Sequence, residues 1–394
     1  MLGTGLLGTI VGIRAELEQF PTAVSGLVMS CYYIGFLVSC AVAPGLLRRY
    51  GHVRVFLAVS LISALTALAY PMNTAPASWA VFRLVTGAAT AGIYVVCESW
   101  LAGAGHPNTR GRLLAVYLLV GNSGYGLGQL LLGIGSPQGS VLFVLAAGLI
   151  GLSALPLLAV KPEGPPRTNL AKLRIVELVR TAPLGVATSF VTGIGVGGIL
   201  GFGAVYGTEV GMSVQRVGLL LGAAMAGGIV LQWPIGALSD RINRRHVIIG
   251  AGLAAGAFAI AASYLPPVSN VILACMFGFT AFSFPLYSLA ISHVNDALHP
   301  EKVIPASAAL LGVYGVGTLA GPIGTSLVME AVGPPGFWLL AGLAHVALGL
   351  YGLYRLVKRR RLMEAHHLPP IPINASPQAA LLIEDTAEMP TIQR

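Results

Sequence analysis

Arg83, Gly87, Thr90, Tyr94 and Glu98 follow one another at spacings of four, three, four and four residues, inside an apolar run that reads as a helix. At about 100° per residue the five lie within roughly 80° of one another, so the only charged groups of that run share one stripe. A guanidinium at the middle of a bilayer costs about 2.5–3.5 kcal/mol on insertion scales, so Arg83 must face a wet cavity or a partner. It reads as a substrate-path or coupling cation. The competing reading is a tether to a carbonyl or carboxylate that only fixes helix packing. Glu98 lies about 7 Å from the end of its helix and has two readings: a proton-accepting carboxylate, or a gate residue pairing Arg110 or Arg112.

Other polar residues inside apolar runs are candidates for the same path: Thr192 and Tyr206, and Ser283 and Tyr287. Such residues are also common as interhelical glue, worth about 0.6 kcal/mol each. Asn122 and Gln129, seven apart, and Gln232 read the same way. Gly193, Gly197 and Gly201, at spacing four, mark a face where another backbone comes close. That stretch also fits a glycine-rich dinucleotide pattern, but no strand precedes it and that reading is discarded. The histidines are scattered, and Cys31, Cys40, Cys97 and Cys275 form no paired motif. No nucleotide loop, zinc motif or nucleophile triad is present, so the expectation is no enzyme, no cofactor, no metal site and an ion gradient as energy source.

The elements that must hold these residues are set by composition. Hydrophobic residues make up 55% of the 394 and charged residues 9%, with a mean hydropathy of +0.80. The solvent for most of such a chain is lipid. Apolar spans are expected at 22–46, 53–72, 77–103, 113–136, 139–160, 183–208, 214–238, 246–266, 268–294, 303–329 and 334–357, each long enough to cross a bilayer. A stub at 2–13 makes twelve. Met1–Ile13 is about 20 Å of helix against about 30 Å of hydrocarbon. It lacks the basic region and cleavage site of a signal peptide, so the expectation is a first helix clipped at its start.

The chain also repeats itself. His299-Pro300 repeats His106-Pro107, and Gly317 and Gly321 repeat Gly124 and Gly128, each 193 residues on. Two half-length copies predict an N-terminal bundle over 1–160, a linker over 161–182, a C-terminal bundle over 183–357 and a disordered, proline-rich tail over 358–394. Nineteen of the 23 lysines and arginines fall on one set of joints, in the linker or at the start of the tail, while the opposite joints hold only Arg14 and Arg216. The positive-inside rule puts the basic joints and the C-terminus in the cytoplasm. The net charge of +9 is thereby explained without nucleic acid.

The joint Gly236-Ala-Leu-Ser-Asp240-Arg241-Ile-Asn243-Arg244-Arg245 resembles the signature loop of the major facilitator superfamily, with Asn243 at a glycine position as a residue that tolerates a left-handed turn. In the first copy Arg49 and Gly51 survive, but Arg48 stands where the aspartate belongs. Arg83-Leu-Val-Thr-Gly87 is similar to the fourth-helix motif of that family. Glu98-Ser99, Arg110-Gly-Arg112-Leu-Leu, Gly128-Gln-Leu-Leu and Gln232-Trp-Pro-Ile-Gly236 resemble its bacterial YcaD-type branch. The resemblance covers the chain apart from its start and tail.

It implies an all-α membrane protein: twelve transmembrane helices in two pseudo-symmetric six-helix bundles, with the fourth helix lining a central cavity. It also implies that Arg14 lines the outer cavity, where two arginines favour an anionic solute; otherwise Arg14 pairs Glu18. Asp240, Arg241, Arg244 and Arg245 become a conformational latch at the cytoplasmic gate, with Gly236, Arg49, Gly51, Arg110 and Arg112 as further gate positions. The function expected is secondary active transport of a small organic solute across the bacterial inner membrane by alternating access, coupled to protons, by a monomer in the lipid bilayer. Uptake and efflux both stay open. The alternative is a membrane receptor or assembly factor on the same scaffold.

Overall fold

The computed structural model describes residues 1–104, 110–158, 175–298 and 303–365. Twelve long helices follow one another: α1 (Leu2–Leu17), α2 (Thr22–Tyr50), α3 (His52–Met72), α4 (Pro76–Ala104), α5 (Arg110–Leu130), α6 (Val141–Leu158), α7 (Pro183–Glu209), α8 (Val214–Arg241), α9 (Arg244–Ser263), α10 (Asn270–Asn295), α11 (Val303–Val332) and α12 (Gly336–Ala365). Among the described residues, ten of them, all but α1 and α5, are long and apolar enough to cross a membrane. Their outer faces carry exposed apolar side chains, such as Leu61 and Leu65 on α3, Val230 on α8 and Leu343 and Leu350 on α12. Lipid tails cover such faces, so they need no polar stripe.

The helix ends depart from the expected spans where local chemistry extends or breaks them. α1 continues past residue 13 to Leu17, its last turn closed by an Arg14–Glu18 pair at 2.6 Å. α2 runs past 46 to Tyr50 and stops at Gly51, whose φ of 77° an L side chain rarely adopts. α12 runs beyond 357 to Ala365 through strong helix formers. The expected spans 214–238 and 268–294 are each interrupted once, at Leu231 and Phe284. Pro234 and Pro285 follow those breaks, where a proline removes a backbone donor. A short helix, Ile175–Thr181, occupies the end of the expected linker, with Leu178 buried against Val294 and Leu310. The rest of that linker, 161–174, and the tail from 366 lie outside the described residues.

The repeat is visible atom by atom. A Cβ on Gly5 would strike the Tyr125 carbonyl; one on Gly197, 192 residues on, would strike the carbonyl of Thr318. Gly128 lies against Leu2 O and Leu6 N, and Gly321 against Ile194 O and Gly198 N. Gly35 meets the Leu84 carbonyl, and Gly227 meets that of Phe277. The same backbone approaches therefore join α1 to α5 and α7 to α11, then α2 to α4 and α8 to α10. Small residues allow these approaches in lipid, where close packing replaces the hydrophobic drive.

Among the described residues the two sets of six helices meet chiefly along three seams, with Tyr33 of α2 also against Gly201 of α7. α2 lies against α11, where Gly26 packs on Ser326 and the Ser30 hydroxyl donates to Leu319 O at 3.0 Å. α1 lies against α7 at Gly12 and Ala204, and α5 against α8 at Gly126 and Met225. Arg48, Arg49, Arg241 and Arg355 mark one end of the molecule, here called the basic end. The seam contacts occupy the middle and the opposite, far end.

A buried arginine beneath the seams

Glycines set the position of Arg83. A Cβ on Gly87 would collide with the Tyr32 carbonyl, so α2 and α4 cross with nothing between their backbones. That crossing brings the Tyr32 ring under the guanidinium, with Arg83 Cζ 4.8 Å from the ring centroid, a cation–π distance. Arg83 is 4% exposed. Its Nε has no hydrogen-bond partner, and among the described residues no carboxylate comes within ion-pair distance. The guanidinium borders a cavity of about 20 Å³ lined by Tyr32, Tyr33, Ser63, Thr86, Thr90 and Tyr125, and closed from the second half by Leu200. That volume holds about one water.

From this cavity aromatic rings continue toward the basic end. Tyr32 and Phe36 are 6.4 Å apart between centroids, and Phe36 and Tyr94 6.2 Å. Glu98 stands one turn beyond Tyr94. It is exposed, within electrostatic range of Cys40 on α2, Tyr117 on α5 and Tyr287 on α10. The Tyr287 ring lies 4.6 Å from that of Tyr314 on α11, tilted by 44°. Thr90, Tyr94 and Glu98 of the fourth-helix stripe thus lie on one side of α4, with Tyr287 of α10 near Glu98.

Other expected path residues lie elsewhere. Arg14 is held at the far end by Glu18 and by the carbonyls of Pro137 and Gln138, so it does not join Arg83. Tyr206 stacks on Phe337 at 4.2 Å, and its hydroxyl accepts from Trp338 Nε1 at 3.0 Å. Ser283 shares a 2.8 Å hydrogen bond with buried His345 Nε2, whose ring Nδ1 faces Ala341 O. Thr192 donates back to Thr188 O one turn earlier. These polar tips are satisfied inside the second half. Gln129 is buried on Thr9 and Gly5 O, whereas Asn122, seven residues earlier, is exposed. Tyr32, Tyr33, Ser63, Thr86 and Tyr125 were not singled out from the sequence. The available signal was the Tyr32-Tyr33 doublet in an apolar run and a tyrosine between the repeated glycines Gly124 and Gly128.

At the basic end, Arg244 bridges Asp240 at 3.0 Å and Asp296 at 2.6 Å and donates to Ser292 O. The signature loop therefore ties α8, α9 and α10 together within the second half. Asn243 does not take the expected left-handed turn: its φ is −59°, and its Oδ1 accepts from Arg245 N at 3.0 Å as an N-cap of α9. Of the two counterparts, it is Gly51 in the first copy that has positive φ. Arg241 is exposed, Arg49 lies 5.3 Å over the Tyr50 ring, and a Cβ on Gly236 would meet no atom within 4 Å. The side chains of Arg110 and Arg112 lie outside the described residues. Asp240 and Asp296 are well exposed, so each pair is worth about 0.2–1 kcal/mol. Asp240→Asn is accordingly expected to shift the melting temperature by no more than a few degrees while slowing transport. A normal transport rate in that variant would remove the latch role.

A Major Facilitator Superfamily profile matches residues 1–295 and 186–379. An MFS-type transporter of Yersinia enterocolitica is 31% identical over 352 residues, covering 88% of this chain and 91% of the relative. The MFS-type transporter YcaD of Escherichia fergusonii is 30% identical over 332 residues, 84% and 86% of the two chains. Among solved structures, a variant of the nucleoside transporter NupG superposes with a TM-score of 0.73 at 16% identity, covering 90% and 96%. A bacterial homologue of the lysosomal transporter Spinster, inward-facing, gives 0.66 at 17%, covering 90% and 92%. With the twelve-helix repeat, this establishes that the chain belongs to the Major Facilitator Superfamily of transporters.

Proposed function

We propose that this protein is a proton-driven secondary transporter of a small organic solute, working by alternating access as a monomer in the bacterial cytoplasmic membrane. The observation that carries this reading is the Arg83 guanidinium, buried without an acidic partner beneath seams that both halves of one chain build. A buried cation in a membrane protein marks a solute or ion path. The basic end is the cytoplasmic one, since exposed arginines gather there. On that orientation the tight seams lie toward the outside, so the conformation is closed outward. The bundles over 1–160 and 183–357 rock about the Arg83 level, and Arg244 with its two aspartates holds the α8–α10 junction rigid as they move. Glu98, at the inner mouth of the path, is the proton-carrying carboxylate in this scheme.

NupG carries nucleosides by its name, and that solute size serves as a guide to the test panel. Purified protein in proteoliposomes, given an imposed pH gradient, is expected to move at least one member of a panel of nucleosides, sugars and organic acids uphill. An uncoupler abolishes that flux, and Glu98→Gln uncouples it from pH. A panel that moves at no rate above empty liposomes would favour a receptor or assembly role on this scaffold.

A further inference from the structure

The lining of the Arg83 cavity is specific about charge. Arg83 is the one charged group among the residues that line it, and the rest are hydroxyls, aromatic rings and aliphatic groups. The guanidinium is more than nine-tenths buried with the Tyr70 hydroxyl beside it, and among the described residues its Nε has no acceptor. A guanidinium presents paired donors at the spacing of a carboxylate's two oxygens. The hydroxyls of Thr90 and Tyr33 stand around the same space, while that of Thr86 donates back to Phe82 O and Arg83 O. The other candidate cation, Arg14, is committed at the far end to Glu18 and two carbonyls. Among the described residues one positive charge is therefore on offer at the cavity, and Glu98 stands at the other end of the aromatic row.

Between those two charges the walls are aromatic. Tyr32, Phe36 and Tyr94 form a row from the first half, and the Tyr287–Tyr314 pair faces the path from the second. Ring faces and edges favour flat, unsaturated surfaces over branched aliphatic ones.

We infer that the transported solute is an aromatic monocarboxylate, its carboxylate on Arg83 and its ring among the tyrosines between Arg83 and Glu98. This deepens the transport reading and rests on it. A second carboxylate on the same ring would meet no second cation among the described residues that line the cavity, so dianions are disfavoured. The cavity of about 20 Å³ accommodates the solute only after the halves part at the basic end, so binding and opening are one event.

The test is thermal unfolding of the purified full-length protein with benzoate, 4-hydroxybenzoate and indole-3-acetate. Benzamide, benzylamine, phthalate, acetate and chloride are run beside them. At least one aromatic monocarboxylate is expected to raise the melting temperature saturably. Its neutral amide should bind on the order of tenfold to a hundredfold more weakly, the loss of one charge-assisted contact. Arg83→Gln removes the protection, and Arg83→Lys keeps a weakened one. Should the Arg83 variants fail to fold, the acid–amide comparison on the unaltered protein decides alone.

Equal protection by benzamide, benzylamine, acetate or chloride overturns the assignment, as does protection by no member of the panel. The two readings fail separately. Uphill flux of other solutes with no binding of these acids sinks this inference and leaves transport standing. Binding of the acids without any uphill flux sinks the transport reading and leaves only the assignment of Arg83 as a site for aromatic carboxylates.

Discussion

On oxidation, a Gly126→Cys, Met225→Cys protein built without Cys31, Cys40, Cys97 and Cys275 stops transporting, and reduction restores its rate. A Cβ at position 126 would lie 3.1 Å from the Met225 Cβ, across the α5–α8 seam between the halves. Disulfides favour Cβ separations of about 3.5–4.5 Å, so the two helices need part by less than about 1 Å to accept one. The four native cysteines are unpaired, three half-buried and one buried, and their removal leaves a single possible bond. Alternating access requires this seam to open once per cycle, because a solute leaving toward the far end must pass between α5 and α8 or their neighbours. A covalent link there holds one state.

The same bond constrains the unfolded chain and adds about 2–4 kcal/mol of stability. The oxidised protein is thus expected to melt higher and carry nothing, which separates locking from damage. Full transport by protein shown to be cross-linked would mean that α5 and α8 move as one body, and the alternating-access scheme would fail with it.

The sequence exposed those parts of the site that one helix can display. Arg83, Thr90, Tyr94 and Glu98 are spaced along α4 at helical intervals, so their shared face was legible without knowing any neighbour. Gly193, Gly197 and Gly201 were legible for a similar reason, and in the structure they meet Tyr314, Thr318 and Pro322 of α11. What periodicity cannot give is the partner of a polar tip. Tyr206 and Ser283 have the same local signature as Tyr94, yet Trp338 and His345, from a helix distant in the chain, satisfy them. Arg14 had both of its fates written nearby, and the i+4 glutamate won because a neighbouring turn always brings it close. Asn243 failed to follow the glycine rule since its side chain offers an N-cap, a stronger local option than a left-handed turn. The tyrosines of α2 and α5 reach Arg83 only through the glycine contacts that bring those helices against α4 and α1.

Those contacts carry the last expected result. Gly87→Val should lower the melting temperature and weaken solute binding together, whereas Gly236→Val should do neither. Both glycines sit within long helices, so the change in helix propensity is the same at each and small. They differ in what a side chain would meet. At Gly236 there is open space, but at Gly87 even the first carbon collides with the Tyr32 carbonyl. A backbone oxygen cannot rotate away as a side chain can, so α2 and α4 must separate by on the order of 1 Å to restore ordinary contact. Overpacking of this kind costs about 1–3 kcal/mol, a melting drop on the order of 1–4 °C for a chain of 394 residues. The functional loss follows from the same displacement: Tyr32 moves off the guanidinium one turn away, and the cavity loses the wall that orients Arg83. If Gly87→Val melts and binds as Gly236→Val does, the α2–α4 crossing is not what positions the arginine, and the site has to be rebuilt from α1 and α5 alone.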